Sequence, residues 1–134
     1  MILIDSSCWI HALRRKGDPV IAGKVRAYMQ QGQAAWCPMV RIELWNGVGS
    51  EEDRAILRDM EQTIPELNVD DEVWQEAAEL ADRCRRAGKT VPATDLIIAA
   101  CARRHQVPLE HADRHFDTLA QLPPSKSPSR RPAG

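Results

Sequence analysis

Short apolar runs alternate along this chain with longer stretches whose apolar residues recur every three or four positions, so strands and helices are expected in alternation. The first run, residues 1–4, is too short for a helix, ends at Asp5 and reads as a buried strand. Ser6 and Ser7 are N-cap residues and predict a helix through Trp9, Ile10 and Leu13. Asp18 and Pro19 open a second helix, running to about Gln31 with Gly32 at its end. Residues 34–37 read as a second strand stopped by Pro38. A largely buried helix with Met39, Ile42, Glu43 and Leu44 follows, broken at Gly47 and Gly49. Ser50 begins a capping box for a helix to about Gln62. Residues 67–69 suggest a third strand. Asp70 or Asp71 then caps a long helix whose apolar face is Val73, Ala77, Leu80 and Cys84 and which Gly88 ends. Residues 92–95 start a helix that is apolar on every side over 96–102, as a central buried helix must be. Residues 107–112 read as a fourth strand, and Asp113 opens a last helix through Phe116 and Leu119.

Such alternation implies an α/β fold with a parallel sheet covered on both faces, where ligands bind beyond the carboxyl ends of the strands. Residues 1–122 form one domain in this reading. The Pro, Ser and Arg of 123–134 offer nothing to bury and read as a disordered tail. The longest apolar run has seven residues where a membrane-spanning helix needs about 20. The first residues lack the basic leader of a secretory signal, so a cytoplasmic protein with four reduced cysteines is expected. The overall charge of −1 excludes a uniformly basic nucleic-acid coat. It conceals a strongly acidic segment over 51–82 between two basic ones, most simply the solvated faces of surface helices.

Four acids fall where the sheet should present a site. Asp5 ends the first strand, Asp113 follows the last, Asp95 starts the buried helix, and Glu43 lies on the helix after the second strand. Each of the three aspartates alone has a structural explanation as a helix cap or first-turn acid. Glu43, among Val40, Ile42, Leu44 and Trp45, lacks one. Together, converging carboxylates repel one another, and a divalent cation relieves that repulsion. Oxygen donors suit Mg²⁺ or Mn²⁺. His11, His105, His111 and His115 show no ligand motif and read as surface or supporting residues.

The ordered segments ILIDSS at 2–7, VRIELWNGV at 40–48, ATDLIIAACA at 93–102 and HADRHFD at 111–117 carry a resemblance to the PIN-domain ribonucleases. In size the chain looks like a VapC-type toxin of a bacterial toxin–antitoxin pair. The resemblance implies a three-layer α/β/α fold with four firm parallel strands and a fifth that is short or absent, because Pro123 and Pro124 suit a central strand poorly. It also implies a metal-dependent endoribonuclease with Asp5, Glu43, Asp95 and Asp113 as catalytic acids. Asp5, Asp95 and Asp113 would ligate one or two Mg²⁺ or Mn²⁺ ions, and Ser6, Ser7 and Asp117 would support them. Arg14, Arg15, Lys16, Lys89 and Arg114 are candidates for the RNA backbone. A neutralising antitoxin and a homodimer are the implied partners. The chain departs from the family's pattern at His111, where Thr or Ser is usual. Two other classes compete with the nuclease reading. One is a catalytically silent PIN-like domain that only binds a partner, which the full set of acids opposes. The other is a phospho-accepting receiver, which would need paired acids near strand one and a Lys after a late strand; Ser6 follows Asp5, and no Lys follows 107–112.

Overall fold

The computed structural model describes residues 1–123. Strand β1 (Ile2–Ile4) is the centre of a three-stranded parallel sheet, with β2 (Ala34–Ala35) on one side and β3 (Leu109–Glu110) on the other. Leu3 pairs with both neighbours, facing Ala35 and Leu109. Successive strand residues point to opposite faces. Leu3 and Ile4 are both fully buried, so both faces of the sheet are covered. The covering helices among the described residues are α1 (Ser6–Leu13), α2 (Pro19–Gln30), α3 (Pro38–Asn46), α4 (Glu51–Thr63), α5 (Asp71–Arg86), α6 (Ala93–His105) and α7 (Arg114–Ala120). The result is the expected three-layer α/β/α architecture.

Most helix starts follow the local chemistry of the sequence. The Asp18 carboxylate accepts from the Val20 and Ile21 amides, with Pro19 in the first turn. Ser50 accepts from Asp53, and Asp70 from Val73. Gly32 and Gly88 lie past helix ends with φ of +67° and +69°, a conformation glycine adopts without a Cβ penalty. Helix α1 starts one residue earlier than expected. Asp5 is its N-cap, which places Ser6 and Ser7 inside the first turn.

The sheet is smaller than the four firm strands expected. The segment after Pro65 contributes a single parallel bridge, Trp36 to Glu66. Trp36 donates to the Pro65 carbonyl at 3.1 Å and accepts from the Leu67 amide at 2.8 Å. Pairing goes no further because Pro38 turns one side into α3 and Asp70 turns the other into α5. The final strand is also short. The Val107 amide is still bonded to the Ala102 carbonyl of α6, and Pro108 has no amide to offer. The expected tail and the site of a fifth strand lie, from residue 124 onward, outside the described residues.

Helix α6 is the core of the molecule, with every residue from Asp95 to Ala102 buried. The α5 stripe of Val73, Ala77, Leu80 and Cys84 packs toward it, each full-sized side chain contributing about 1.5–3 kcal/mol by burial. Trp9 meets Trp36 edge to face at 6.2 Å. Helix α3 is less buried than expected, with Ile42 exposed. All four cysteines are buried and free. Trp74 is 51% exposed, so it does not join Trp9 in the core, and Trp45 is half-buried with its indole N–H donated to Glu61.

Two backbone positions give opposite expectations. Gln106 ends α6 at φ +56°, a conformation that disfavours any side chain. Gln106→Gly should raise the stability measured by urea unfolding by about 1 kcal/mol. A Cβ at Gly17 would run into the backbone of His11, so Gly17→Ala should lower it by about 1–3 kcal/mol.

Candidate active site at the carboxyl end of the sheet

From β1 the chain passes through α1 and α2 to β2 on one side. It then crosses through α3 to α6 and returns on the other side as β3. Strand order therefore reverses at β1, and the crevice beyond its carboxyl end is the expected binding position for such a sheet. Asp5 stands directly after β1, and Asp113 stands three residues after β3. Asp95 lies in the first turn of α6 and Glu43 in the middle of α3.

A chain of hydrogen bonds fixes these acids. Asp5 Oδ2 accepts from the Ser7 amide at 3.0 Å and from the Ser7 hydroxyl at 2.6 Å. The same hydroxyl oxygen accepts from the Ala112 amide at 3.0 Å, joining the end of β1 to the segment that follows β3. Ser6 donates to Glu43 Oε1 at 3.1 Å, tying α1 to α3. Asp113 caps α7 by accepting from the His115 amide at 2.9 Å. His111, where the resemblance leads one to expect Thr or Ser, accepts from the Asp113 amide through Nδ1 at 3.3 Å and packs on Phe116.

The four carboxylates sense one another. Burial raises the Asp95 pKa to about 6, with the charges of Asp113 and Asp5 adding to the effect. Burial also raises Asp5, against the opposing hydrogen bonds from Ser7, and the Asp113 charge adds to the rise. Glu43 is raised by burial first and then by Asp5, Asp95 and Asp113, while the Ser6 hydroxyl pulls it down. Burial and like charge thus combine to make full ionisation unfavourable.

The site is suited to a divalent cation. Asp5 Oδ1, Asp95 Oδ2 and His115 Nδ1 are all buried and none has a well-aligned hydrogen bond, although His115 Nδ1 lies 3.1 Å from Asp95 Oδ2 and lowers the Asp95 pKa against the effect of burial. Buried polar atoms without partners are rare in folded proteins and call for an explanation. Asp95, Asp113 and His115 each offer a ligand atom, and these atoms lie within 4.8 Å of one another. Asp5 lies outside that trio, although its charge acts on Asp95 and the charge of Asp113 acts on it.

The remaining sequence candidates are spread out. Asp117 is exposed and faces His111 at 3.8 Å rather than joining the other acids. Arg14, Arg15 and Lys16 are exposed in the turn after α1, at the opposite end of that helix from Asp5. Lys89 is exposed in the loop before α6, and Arg114 begins α7 beside Asp113. His115, read from sequence as a surface or supporting residue, stands between Asp95 and Asp113. Its spacing of two from Asp113 is the one signal in the sequence that pointed there.

A pH dependence follows from the raised Asp95 pKa. Because the folded value of about 6 exceeds the unfolded 3.8, ionisation of this group weakens the fold; the penalty is absent below the lower value and complete above the higher. In EDTA, the Tm advantage of Asp95→Asn over wild type should be near zero at about pH 4, grow with pH, and level off by about pH 7. Adding Mg²⁺ or Mn²⁺ at neutral pH should raise the wild-type Tm more than that of the variant.

Comparison with known proteins agrees with this arrangement. The PIN domain family matches residues 2–122. Ribonuclease VapC11 of Mycobacterium tuberculosis is 35% identical over 126 residues, covering 91% of this chain and 93% of its own length. Ribonuclease VapC21 of the same species is 30% identical, covering 90% and 86%. Among solved structures, DNA-bound VapBC from Salmonella typhimurium superposes with a TM-score of 0.74 at 16% identity, over 90% of this chain and 93% of that one. The sarcin-ricin loop cleaving toxin VapC20 of M. tuberculosis gives 0.68 at 17%, over 91% and 96%. At those identities the structures speak to the fold alone, but the sequence matches go further: this chain belongs to the PIN domain family and groups within it with the VapC ribonucleases.

Proposed function

We propose that this chain is a metal-dependent endoribonuclease that hydrolyses RNA phosphodiester bonds, and that it is the toxin of a toxin–antitoxin pair. The observation that carries the reading is the convergence of Asp5, Glu43, Asp95 and Asp113, from four separate elements, at the carboxyl end of the sheet in a chain related to VapC ribonucleases.

In this reading Asp95 and Asp113 hold the ion, with Asp5 beside them, and one or two Mg²⁺ or Mn²⁺ ions are the cofactor. When bound, a divalent ion makes water a stronger acid and offsets negative charge developing on the phosphate. Asp5 is held through Oδ2 by Ser7, while Oδ1 is buried and makes no well-aligned hydrogen bond. Glu43, its pKa raised by burial and by the neighbouring acids, is the candidate general acid–base group or the carboxylate that orients the attacking water. Ser6 fixes the orientation of that carboxylate through Oε1. Asp117, on the exposed face of α7, has a supporting role through His111.

Arg14, Arg15, Lys16, Lys89 and Arg114 are all exposed, and none has an acidic partner among the described residues. Arg41, Arg54, Arg58, Arg86 and Arg104, by contrast, are each engaged with an Asp or Glu. Exposure and the lack of an acidic partner suit these five to the RNA backbone, a property they share with Arg26, Arg85 and Arg103. No helix of the described residues is long and apolar enough to cross a membrane. An antitoxin, as in the toxin–antitoxin complexes among the structural relatives, and a second copy of the chain are the proposed protein partners.

The test is cleavage of RNA at low salt with Mg²⁺, with Mn²⁺ and with EDTA. Cleavage should require a divalent ion and fall more than about 100-fold in folded Asp5→Asn, since changes around a metal site alone cost about 10–100-fold. Equal cleavage in EDTA, or by the variant, overturns the reading.

A further inference from the structure

His115 gives the candidate centre a nitrogen donor, and the geometry around it is informative. Its Nδ1 lies 3.1 Å from Asp95 Oδ2 and 3.0 Å from Asp113 Oδ1. Either distance suits a hydrogen bond. Both atoms are buried, and neither contact has the alignment of a good hydrogen bond, so the ring stands in ion-pair range of both carboxylates and its nearness pulls the Asp95 pKa down against the effect of burial. The imidazole nitrogen is close to both carboxylates but aligned with neither. Asp95 is only 6% exposed, so water has little access to compensate.

Asp95, Asp113 and His115 each offer a ligand atom, and these atoms lie within 4.8 Å of one another, close enough to share one ion. Two ligands about 2.1 Å from an octahedral ion, at right angles, are about 3.0 Å apart. The two nitrogen–oxygen distances match that separation. The His115 backbone reinforces the arrangement, because its amide is bonded to Asp113 Oδ1 and fixes the ring beside α6. Helix α7 begins at Arg114, so the position of His115 follows from the cap itself.

Building on the metal-dependent reading above, we infer that His115 is a direct ligand, and that its imidazole tunes the centre toward a first-row transition ion such as Mn²⁺ over Mg²⁺. The reason lies in the donor. Mg²⁺ favours oxygen ligands and keeps its waters, whereas imidazole nitrogen binds transition ions well. A site of carboxylates alone would discriminate little between Mg²⁺ and Mn²⁺. One nitrogen among the oxygens adds affinity for the transition ion and little for Mg²⁺. His11, on α1, accepts instead from the Asp18 amide, and His105 contacts the Asn68 carbonyl, so neither competes for this role.

The experiment measures Mn²⁺ and Mg²⁺ affinities by calorimetry for the full chain, His115→Asp and His115→Ala, with electron spin-echo spectroscopy of bound Mn²⁺. The wild type should prefer Mn²⁺ and show the modulation of one imidazole nitrogen. His115→Asp should keep an oxygen site but lose the nitrogen signal, with the Mn²⁺-to-Mg²⁺ preference falling about tenfold, at the lower end of what altered metal surroundings cost. His115→Ala should also lose the signal, which identifies the histidine. Mn²⁺ binding without a nitrogen signal, or an unchanged preference in His115→Asp, overturns the inference and leaves the nuclease reading intact. Binding of neither ion overturns both. A nitrogen-ligated ion in a chain that cleaves no RNA overturns only the nuclease reading.

Discussion

Asp5, Asp95 and Asp113 carry like charge in a place where burial makes charge unfavourable, and the fold keeps them together by giving each a second task. Asp5 caps α1 and Asp113 caps α7, while Asp95 lies in the first turn of α6. The N-terminus of a helix presents free amides and the positive end of its dipole, so it favours a carboxylate on its own account. Three helices that begin around one crevice therefore offset part of the repulsion they create. The raised pKa values of Asp5, Asp95 and Glu43 record burial first and the remaining repulsion second, and a cation would relieve both.

Rigidity of the site follows from the same arrangement. Helix α6 is buried from Asp95 to Ala102, so the Asp95 carboxylate is mounted on the least mobile element of the chain. Ser7 serves two partners, donating to Asp5 and accepting from Ala112, and thereby sets the spacing between the two ends of the sheet that bear acids. Glu43 is held more loosely, through the hydroxyl of Ser6, on a helix with an exposed face.

How much of this was legible in the sequence depended on the range of the interaction responsible. The helix starts at Asp18, Ser50 and Asp70, and the buried run of α6, are set by residues close in sequence and could be read directly. Strand lengths could not. A strand exists only where a distant neighbour continues to pair, and Pro38 and Asp70 end the pairing at Trp36 after one bridge. Trp74 was equally ambiguous, since a large apolar residue on a helix reveals its size but not which face it occupies. The four acids stood out because the segments around them occur in order. His115 did not, because its significance lies in its distance to Asp95, which belongs to a different helix.

The hydrogen bond from Ala112 to Ser7 spans 105 positions of sequence. A chain emerging from the ribosome has its first strand and Asp5 long before it has Asp113 and α7. Domains generally fold as units during synthesis, and here the partner for the Ser7 hydroxyl is made 105 residues after it. The nascent polypeptide thus cannot assemble the acidic cluster until Asp113 and α7 have emerged, long after Asp5.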